Sequence, residues 1–130
     1  MPFLSLRRGN EKALASRLEE QMNLVDVVPD GDLLVALQPE QLGLRILQVL
    51  ATWSPQIRQV RLDLFLDGAL TGYSRYPRPD QIGQAIKEAW AWLEGQGLLL
   101  QDPRYMQGDM RVLSQKARRL AKESRMRAVH

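Results

Sequence analysis

The sequence predicts a mostly helical α+β domain with a small β-hairpin near its C-terminal end. The chain has 130 residues, a length that suits one domain. Apolar residues recur with helical spacing in several segments. After the helix that ends near Gly97, two short apolar runs enclose a turn-forming stretch, and a basic helix follows. Helix, strand, turn and strand is the order expected of a winged helix-turn-helix.

One helix and one turn are predicted before the core. Asn10 is a candidate N-cap for a helix over Glu11–Leu24. The Pro-Asp-Gly-Asp sequence of residues 29–32 predicts a turn. Leu33–Leu37 is either a short strand or an extended lead-in to the next helix. Within one domain, we expect an N-terminal helix and turn over residues 1–31, a winged-helix core over residues 32–113 and a basic helix over residues 114–130.

Two helical segments are predicted next. Pro39 opens the first, because its missing N–H costs nothing in a first helical turn. Its apolar face is broad, which predicts a central helix packed on two sides, and Ser54-Pro55 ends it. The segment Gln56–Leu70 contains an alternation typical of a strand but also a helical apolar face. Because Leu and Asp are poor strand formers, a short helix is favoured.

The remaining elements are predicted from caps and breakers. Asp80 is a candidate N-cap for the next helix, and Gly95 and Gly97 mark its end. Ser114 is a candidate cap for the final helix, with Ala117, Leu120 and Ala121 facing inward. The expected elements are a loop over Gly72–Pro79, a helix over Gln81–Gln96, strands over Leu98–Gln101 and Met110–Leu113, and a final helix over Gln115–Met126.

The composition leaves little material for catalysis. The chain has no cysteine, and its one histidine is His130. A Ser-His-acid triad, a Cys-His pair and a metal site with two histidines are therefore excluded. The glycines lack the spacing of a phosphate-binding loop. The carboxylate pairs Asp30/Asp32 and Asp63/Asp67 have no His, Cys or Lys near them in sequence. We expect a binding module rather than an enzyme, with no cofactor and no metal.

The expected location is the cytoplasm, with no membrane partner. No apolar run approaches the ~20 residues that span a membrane. Met1–Leu6 is too short for the apolar part of a signal peptide. The lack of cysteine fits a reducing compartment.

Charge is uneven along the chain. Residues 103–130 hold eight Lys or Arg and two acids, a net charge of +6, whereas residues 1–102 hold ten bases and thirteen acids, a net charge of −3. A basic C-terminal quarter fits either an anionic partner or a solvated helix.

Aromatic residues offer a second kind of contact. Trp90 and Trp92 lie two residues apart on one helix, so Trp90 is expected in the core and Trp92 at the surface. Trp92 either contacts a partner or packs on the N-terminal or final helix. Tyr73, Tyr76 and Tyr105 are expected in loops, where exposed aromatic rings stack on bases or anchor protein partners.

The most specific pattern is Glu88-Ala-Trp-Ala-Trp-Leu-Glu94 with Gly97-Leu98-Leu99 after it. Together with the apolar spacing of Leu42–Leu50 and the segment Arg111–Leu120, it resembles the N-terminal winged-helix-like region of the Ymh-like prophage and abortive-infection proteins. The resemblance covers roughly residues 32–120 and departs at Lys116-Ala117, where such modules often carry a glycine. It implies a recognition or regulatory module of a phage defence system, commonly fused to a helical effector domain of the HEPN type.

Two functions remain open. A nucleic-acid-binding winged helix would place Gln81–Gln96 in the major groove, with the hairpin as the wing. The outward residues of that helix hold one base against two acids, which favours contact by the wing and the final helix instead. The alternative is a protein-interaction or scaffolding module, monomeric or oligomeric, that links to an effector domain and does not bind nucleic acid. The candidate DNA, RNA or partner contacts are Arg75, Arg78, Gln81, Gln84, Lys87, Arg104, Arg111, Lys116, Arg118, Arg119, Lys122 and Arg125, with Trp92 and Tyr105 as aromatic contacts.

Overall fold

Helices dominate the structure and a small sheet lies at one side. The computed structural model describes residues 22–53, 59–102 and 110–129, with side chains described as far as residue 123. Six helices and one three-stranded antiparallel sheet lie within these ranges. In chain order the elements are α1 Leu24–Val27, α2 Gly31–Ala36, α3 Pro39–Trp53, β1 Val60–Arg61, α4 Leu62–Gly72, α5 Pro79–Gly95, β2 Leu99–Gln101, β3 Met110–Leu113 and α6 Gln115–Val129.

The N-terminal elements differ from those expected. The predicted helix over Glu11–Leu24 is wrong at its end, because residues 22 and 23 are not helical and α1 begins at Leu24. The rest of that prediction lies outside the described residues. Asn23 caps α1, and its N–H donates to the Asp26 carboxylate at 2.8 Å. This bond gives a partner to the backbone N–H of Asn23, which no hydrogen bond within the helix satisfies.

A strand or extended lead-in over Leu33–Leu37 is also wrong, because α2 occupies residues 31–36. The Asp30 carboxylate accepts from the N–H of Asp32 at 3.0 Å and so caps α2. Asp favours both turns and helix starts for the same reason, since its short polar side chain satisfies nearby backbone donors. Leu34 is fully buried while Leu33 is exposed, as expected of a helix with one inward face.

The central helix is confirmed. α3 starts at Pro39, ends at Trp53 and buries Leu42, Ile46 and Leu50 among others. It contacts α5 and α6 as well as α1, so the predicted packing on more than one side is correct. Its C-terminal end also holds the chain before α1, because the Trp53 indole N–H donates to the carbonyl of Met22 at 2.8 Å.

The ambiguous segment after α3 contains both elements that its pattern allowed. Val60 and Arg61 form β1, which pairs with Arg111 and Met110 of β3. The chain then becomes helical at Leu62, so the favoured helix is confirmed from that residue onward. Two residues of strand are defined by pairing with residues about 50 positions later, a contact that local propensity does not register.

α5 begins two residues earlier than predicted. Pro79 occupies its first turn and Arg78 its N-cap position, so the prediction of Asp80 as the cap is wrong. Asp80 lies in the first turn, where its charge complements the helix dipole. The predicted end is correct: Gly97 has φ +70°, and the N–H groups of Gly97 and Leu98 donate to the carbonyls of Glu94 and Leu93 at 3.1 and 2.9 Å. This is the Schellman arrangement, which favours glycine at the left-handed position.

The hairpin strands are confirmed, with β2 starting one residue later than expected. β2 pairs with β3, which is central in the sheet order β1-β3-β2. Ser114 caps α6 as predicted, and its Oγ accepts from the N–H of Ala117 at 3.1 Å. Ala117 and Ala121 are buried, whereas Leu120 is half-buried, and the helix continues to Val129 rather than ending at Met126.

Candidate partner-binding surfaces

A basic face runs along α6. Ala117 and Ala121 are buried and α6 packs on α3, while the charged residues around these two alanines lie at the surface. Among the described residues, no ion pair joins the exposed Lys and Arg side chains of α6 to a carboxylate. The basic face consists of the exposed residues Lys116, Arg118, Arg119 and Lys122.

The members of the basic face are not equivalent. Arg118 and Lys122 are four residues apart and therefore neighbours on one side of the helix. Arg125 follows Lys122 by three residues, which also places it on this side of the helix by its sequence position, but its side chain lies outside the described part. Arg119 is followed four residues later by Glu123, an exposed acid that opposes its charge. An anion would therefore meet the least opposing charge beside Arg118 and Lys122.

The exposed face of α5 has a different character. The positions predicted to face outward are all exposed: Gln81, Gln84, Lys87, Glu88, Ala91 and Glu94. Gln84 donates to the Glu88 carboxylate at 3.2 Å, so part of its hydrogen-bonding capacity is used within the helix. A phosphate approaching this face would meet two carboxylates and one ammonium group. Arg75 and Arg78 are exposed in the turn before α5 and lie outside this face.

The hairpin contributes less free charge than its sequence indicates. Arg111 of β3 is half-buried, and its Nε donates to the Glu94 carboxylate of α5 at 3.3 Å. This ion pair joins the hairpin to the helix and offsets the charge of Arg111. Arg104 and Tyr105, the other candidate contacts of the hairpin, lie outside the described residues.

The aromatic candidates mostly pack within the domain. Trp92 is half-buried and lies against Gly43 of α3, so the central helix is a packing partner that the sequence did not indicate; the predicted N-terminal helix lies mostly outside the described residues. Tyr73 is buried instead of exposed, and its hydroxyl donates to the carbonyl of Val28 at 2.5 Å. Burial raises the pKa of Tyr73 to about 12, with a further contribution from the charge of Asp26.

Tyr76 makes a similar bridge at the surface. Its hydroxyl donates to the Asp32 carboxylate at 3.0 Å, and its ring lies against Gly31 at the start of α2. Partial burial and this hydrogen bond raise the pKa of Tyr76. Both tyrosines therefore connect the turn after α4 to the segment around α2, which gives them a structural role.

A groove lies where α4, α5 and β3 meet, with a volume of about 380 Å³. Leu62, Leu66 and the buried Trp90 supply its apolar lining, and the other lining side chains are charged and form its rim. We call this the α4–α5 groove; its lining residues are Leu62, Asp63, Leu66, Lys87, Trp90, Glu94 and Arg111. Sequence reasoning missed it because its residues come from three elements. The helical spacing of Leu62 with Leu66 indicates only that they share a face.

Neither a metal-binding group nor a membrane-spanning helix is found in the described ranges. No group of three His, Cys, Asp or Glu residues there is arranged to hold a metal ion. No helix in the same ranges is long and apolar enough to cross a membrane.

No protein-family model matches the sequence, no curated protein is detectably similar to it, and no solved structure matches it.

Proposed function

We propose that residues 32–113 form a winged helix-turn-helix core and that the chain is a nucleic-acid-binding module. The proposal for the fold is supported by the consecutive helices α4 and α5, joined by a six-residue turn, and by the hairpin that follows α5. β1 completes the small sheet beside this hairpin. The setting in a phage defence system, with a fused effector domain, rests on the resemblance of residues 32–120.

The basic face of α6 carries the proposal for nucleic-acid binding. Its four bases are exposed, and no ion pair among the described residues neutralises them. Lys and Arg that contact phosphates release condensed counterions, and this release supplies most of the sequence-independent affinity for nucleic acid. The α5 face does not support the usual insertion of a recognition helix, because it presents one ammonium group beside the Glu88 carboxylate and the Glu94–Arg111 ion pair, with no surplus of positive charge for phosphates. Binding through the phosphate backbone, with little preference for sequence, is the form that these charges favour.

Salt-dependent binding tests the proposal. Labelled duplex DNA and single-stranded RNA are titrated with protein by fluorescence anisotropy between ~25 and ~200 mM salt. For DNA, each phosphate contact contributes about −0.9 to the slope of log K against log salt. If Arg118 and Lys122 each contact one phosphate, the double variant Arg118→Ala/Lys122→Ala flattens the slope by about 2 and weakens binding at low salt.

The matched control removes the same charge from elsewhere. Arg45 on α3 is exposed and is not among the candidate contacts, so Arg45→Glu lowers the net charge by two without touching α6. This variant should retain the wild-type slope. Equal losses in the double variant and in Arg45→Glu would indicate a diffuse attraction rather than a site on α6. No binding to either nucleic acid at the lowest salt would refute the proposed function.

A protein-interaction function is favoured by one separate observation, the α4–α5 groove. The groove is formed by α4, α5 and β3, and none of its lining residues belongs to α6. A protein partner in the groove and a nucleic acid on α6 would therefore occupy different surfaces. An interface for a partner usually combines an apolar centre with a polar rim, which is the arrangement found here.

A further inference from the structure

We propose that the α4–α5 groove binds a peptide segment of a protein partner in which an apolar side chain lies next to a carboxylate. This inference does not rest on nucleic-acid binding, because none of the groove residues belongs to α6. Its support is the apolar side of the groove, the pairing of charges at the rim and the one rim charge that has no ion-pair partner.

The apolar side accepts a side chain rather than a large ligand. Leu62 and Leu66 are half-buried, so part of each remains accessible from the groove. Trp90 lines the same groove but is only 2% exposed, and its ring packs on Phe65 at a ring-centroid distance of 5.6 Å. A volume of about 380 Å³ is near the lower end of the range for small-ligand pockets. Anchoring one or two side chains of a peptide fits this size.

The rim selects the charge of the occupant. Asp63 is paired with Arg61 at 2.8 Å, and Glu94 is paired with Arg111 at 3.3 Å. Lys87 is the remaining rim charge; it is exposed, and no ion pair holds it among the described residues. The rim is therefore neutral apart from one ammonium group, and the complementary group on the occupant is a carboxylate.

The same rim disfavours nucleic acid as the occupant. A phosphate chain carries several negative charges and the rim offers it one unpaired ammonium group, whereas a peptide can bring a single carboxylate to Lys87. A peptide also supplies an apolar side chain for Leu62 and Leu66, which a phosphate backbone lacks. These two properties together favour a protein partner.

Nuclear magnetic resonance with defined peptides tests the inference. The probe is the peptide acetyl-Gly-Glu-Leu-Phe-Glu-Gly-amide, added to the full chain at millimolar concentration. Two matched peptides replace either both Glu by Lys or the Leu-Phe pair by Ser-Ser. We expect the probe alone to shift the backbone amide signals of Leu62, Leu66, Lys87 and Arg111. The Ser-Ser peptide separates this binding from simple attraction of acids to α6.

Protein variants complete the test. Because Lys87 is exposed, Lys87→Glu should leave the fold intact and weaken binding of the probe about fivefold, as expected for loss of one rim charge pair. Arg118→Ala/Lys122→Ala should leave it unchanged. The inference is overturned if the lysine peptide binds equally well, if the shifts map to α6, or if no groove signal moves. Groove signals that shift with protein concentration alone would assign the groove to a second copy of the chain, and shifts caused by DNA or RNA would assign it to nucleic acid. Either result also overturns the inference.

Discussion

Replacing Gly43 by alanine brings a methyl group against the Trp92 ring where α3 crosses α5. A Cβ built at Gly43 would lie 2.7 Å from Cε3 and 3.2 Å from Cζ3 of Trp92, and 3.4 Å from the carbonyl oxygen of Ala89. Comfortable carbon–carbon contacts begin at about 3.5 Å, so the ring must retreat by roughly 0.8 Å. Gly68 on α4 provides the matched site, because its Cβ would meet nothing within 4 Å.

The expected magnitude follows from two opposing effects. Gly→Ala inside a helix stabilises by about 1 kcal/mol through propensity, and this gain applies to both sites. Overpacking of a close contact costs about 1–3 kcal/mol and applies only at Gly43. Gly68→Ala should therefore raise the free energy of unfolding by about 1 kcal/mol, whereas Gly43→Ala should be neutral or lower it by up to about 2 kcal/mol. The difference between the two variants isolates the contact with Trp92.

Urea denaturation measures both variants, with the free energies compared at equal slope. In a Trp92→Leu background the cost of Gly43→Ala should shrink, since the atoms that clash with the new methyl group are gone. Tryptophan emission should also shift to longer wavelength in Gly43→Ala if the half-buried ring moves outward. If Gly43→Ala stabilises the chain as much as Gly68→Ala, the close approach of α3 and α5 is refuted.

Three further predictions concern local structure. Gly97→Ala should lower the free energy of unfolding by about 1 kcal/mol because Gly97 has a positive φ, whereas Gly95→Ala should not, and urea denaturation separates them. Ser114→Ala removes the cap of α6 and should cost about 1 kcal/mol in the same assay, with Ser114→Asp retaining most of the stability. Folding raises the pKa of Tyr73 from 10.0 to about 12, so the stability it contributes is complete below pH 10 and declines as pH rises towards 12. Tyr73→Phe should remove that part of the alkaline decline and, by leaving the Val28 carbonyl without its donor, lower stability at neutral pH by about 1–3 kcal/mol, as denaturation from pH 8 to 12 would show.

Helix ends that depend only on neighbouring residues were predictable. The backbone requirements at three helix ends are met by Pro39 at the start of α3, Gly97 after α5 and Ser114 before α6, and each lies where the sequence predicts. The inward faces of α3 and α5 follow from apolar spacing, which reports burial without naming the partner. Asp80 shows the limit of such rules. It is a good capping residue, but the helix already begins at Pro79, so Asp80 lies inside the first turn and not at the N-cap position.

The candidate sites were likewise predictable only where neighbouring residues on one helix decide them. The exposure of Arg118 and Lys122 follows from the sequence, because Ala117 and Ala121 define the opposite side of one helix. The sequence by itself therefore determined the order of most elements and the presence of a basic face on the last one. Only the tertiary structure decided that Arg111 is held by Glu94, since this contact joins two elements.

Tertiary contacts also decided the features that have no local signal. Val60-Arg61 is a strand because β3 pairs with it, and Trp92 is half-buried because Gly43 lets α3 come close. The α4–α5 groove exists because two helices and a strand converge on Leu62, Leu66 and Trp90. The physical reason is common to all three: periodicity and caps act over a few residues, whereas pairing, close packing and grooves depend on which distant segments meet.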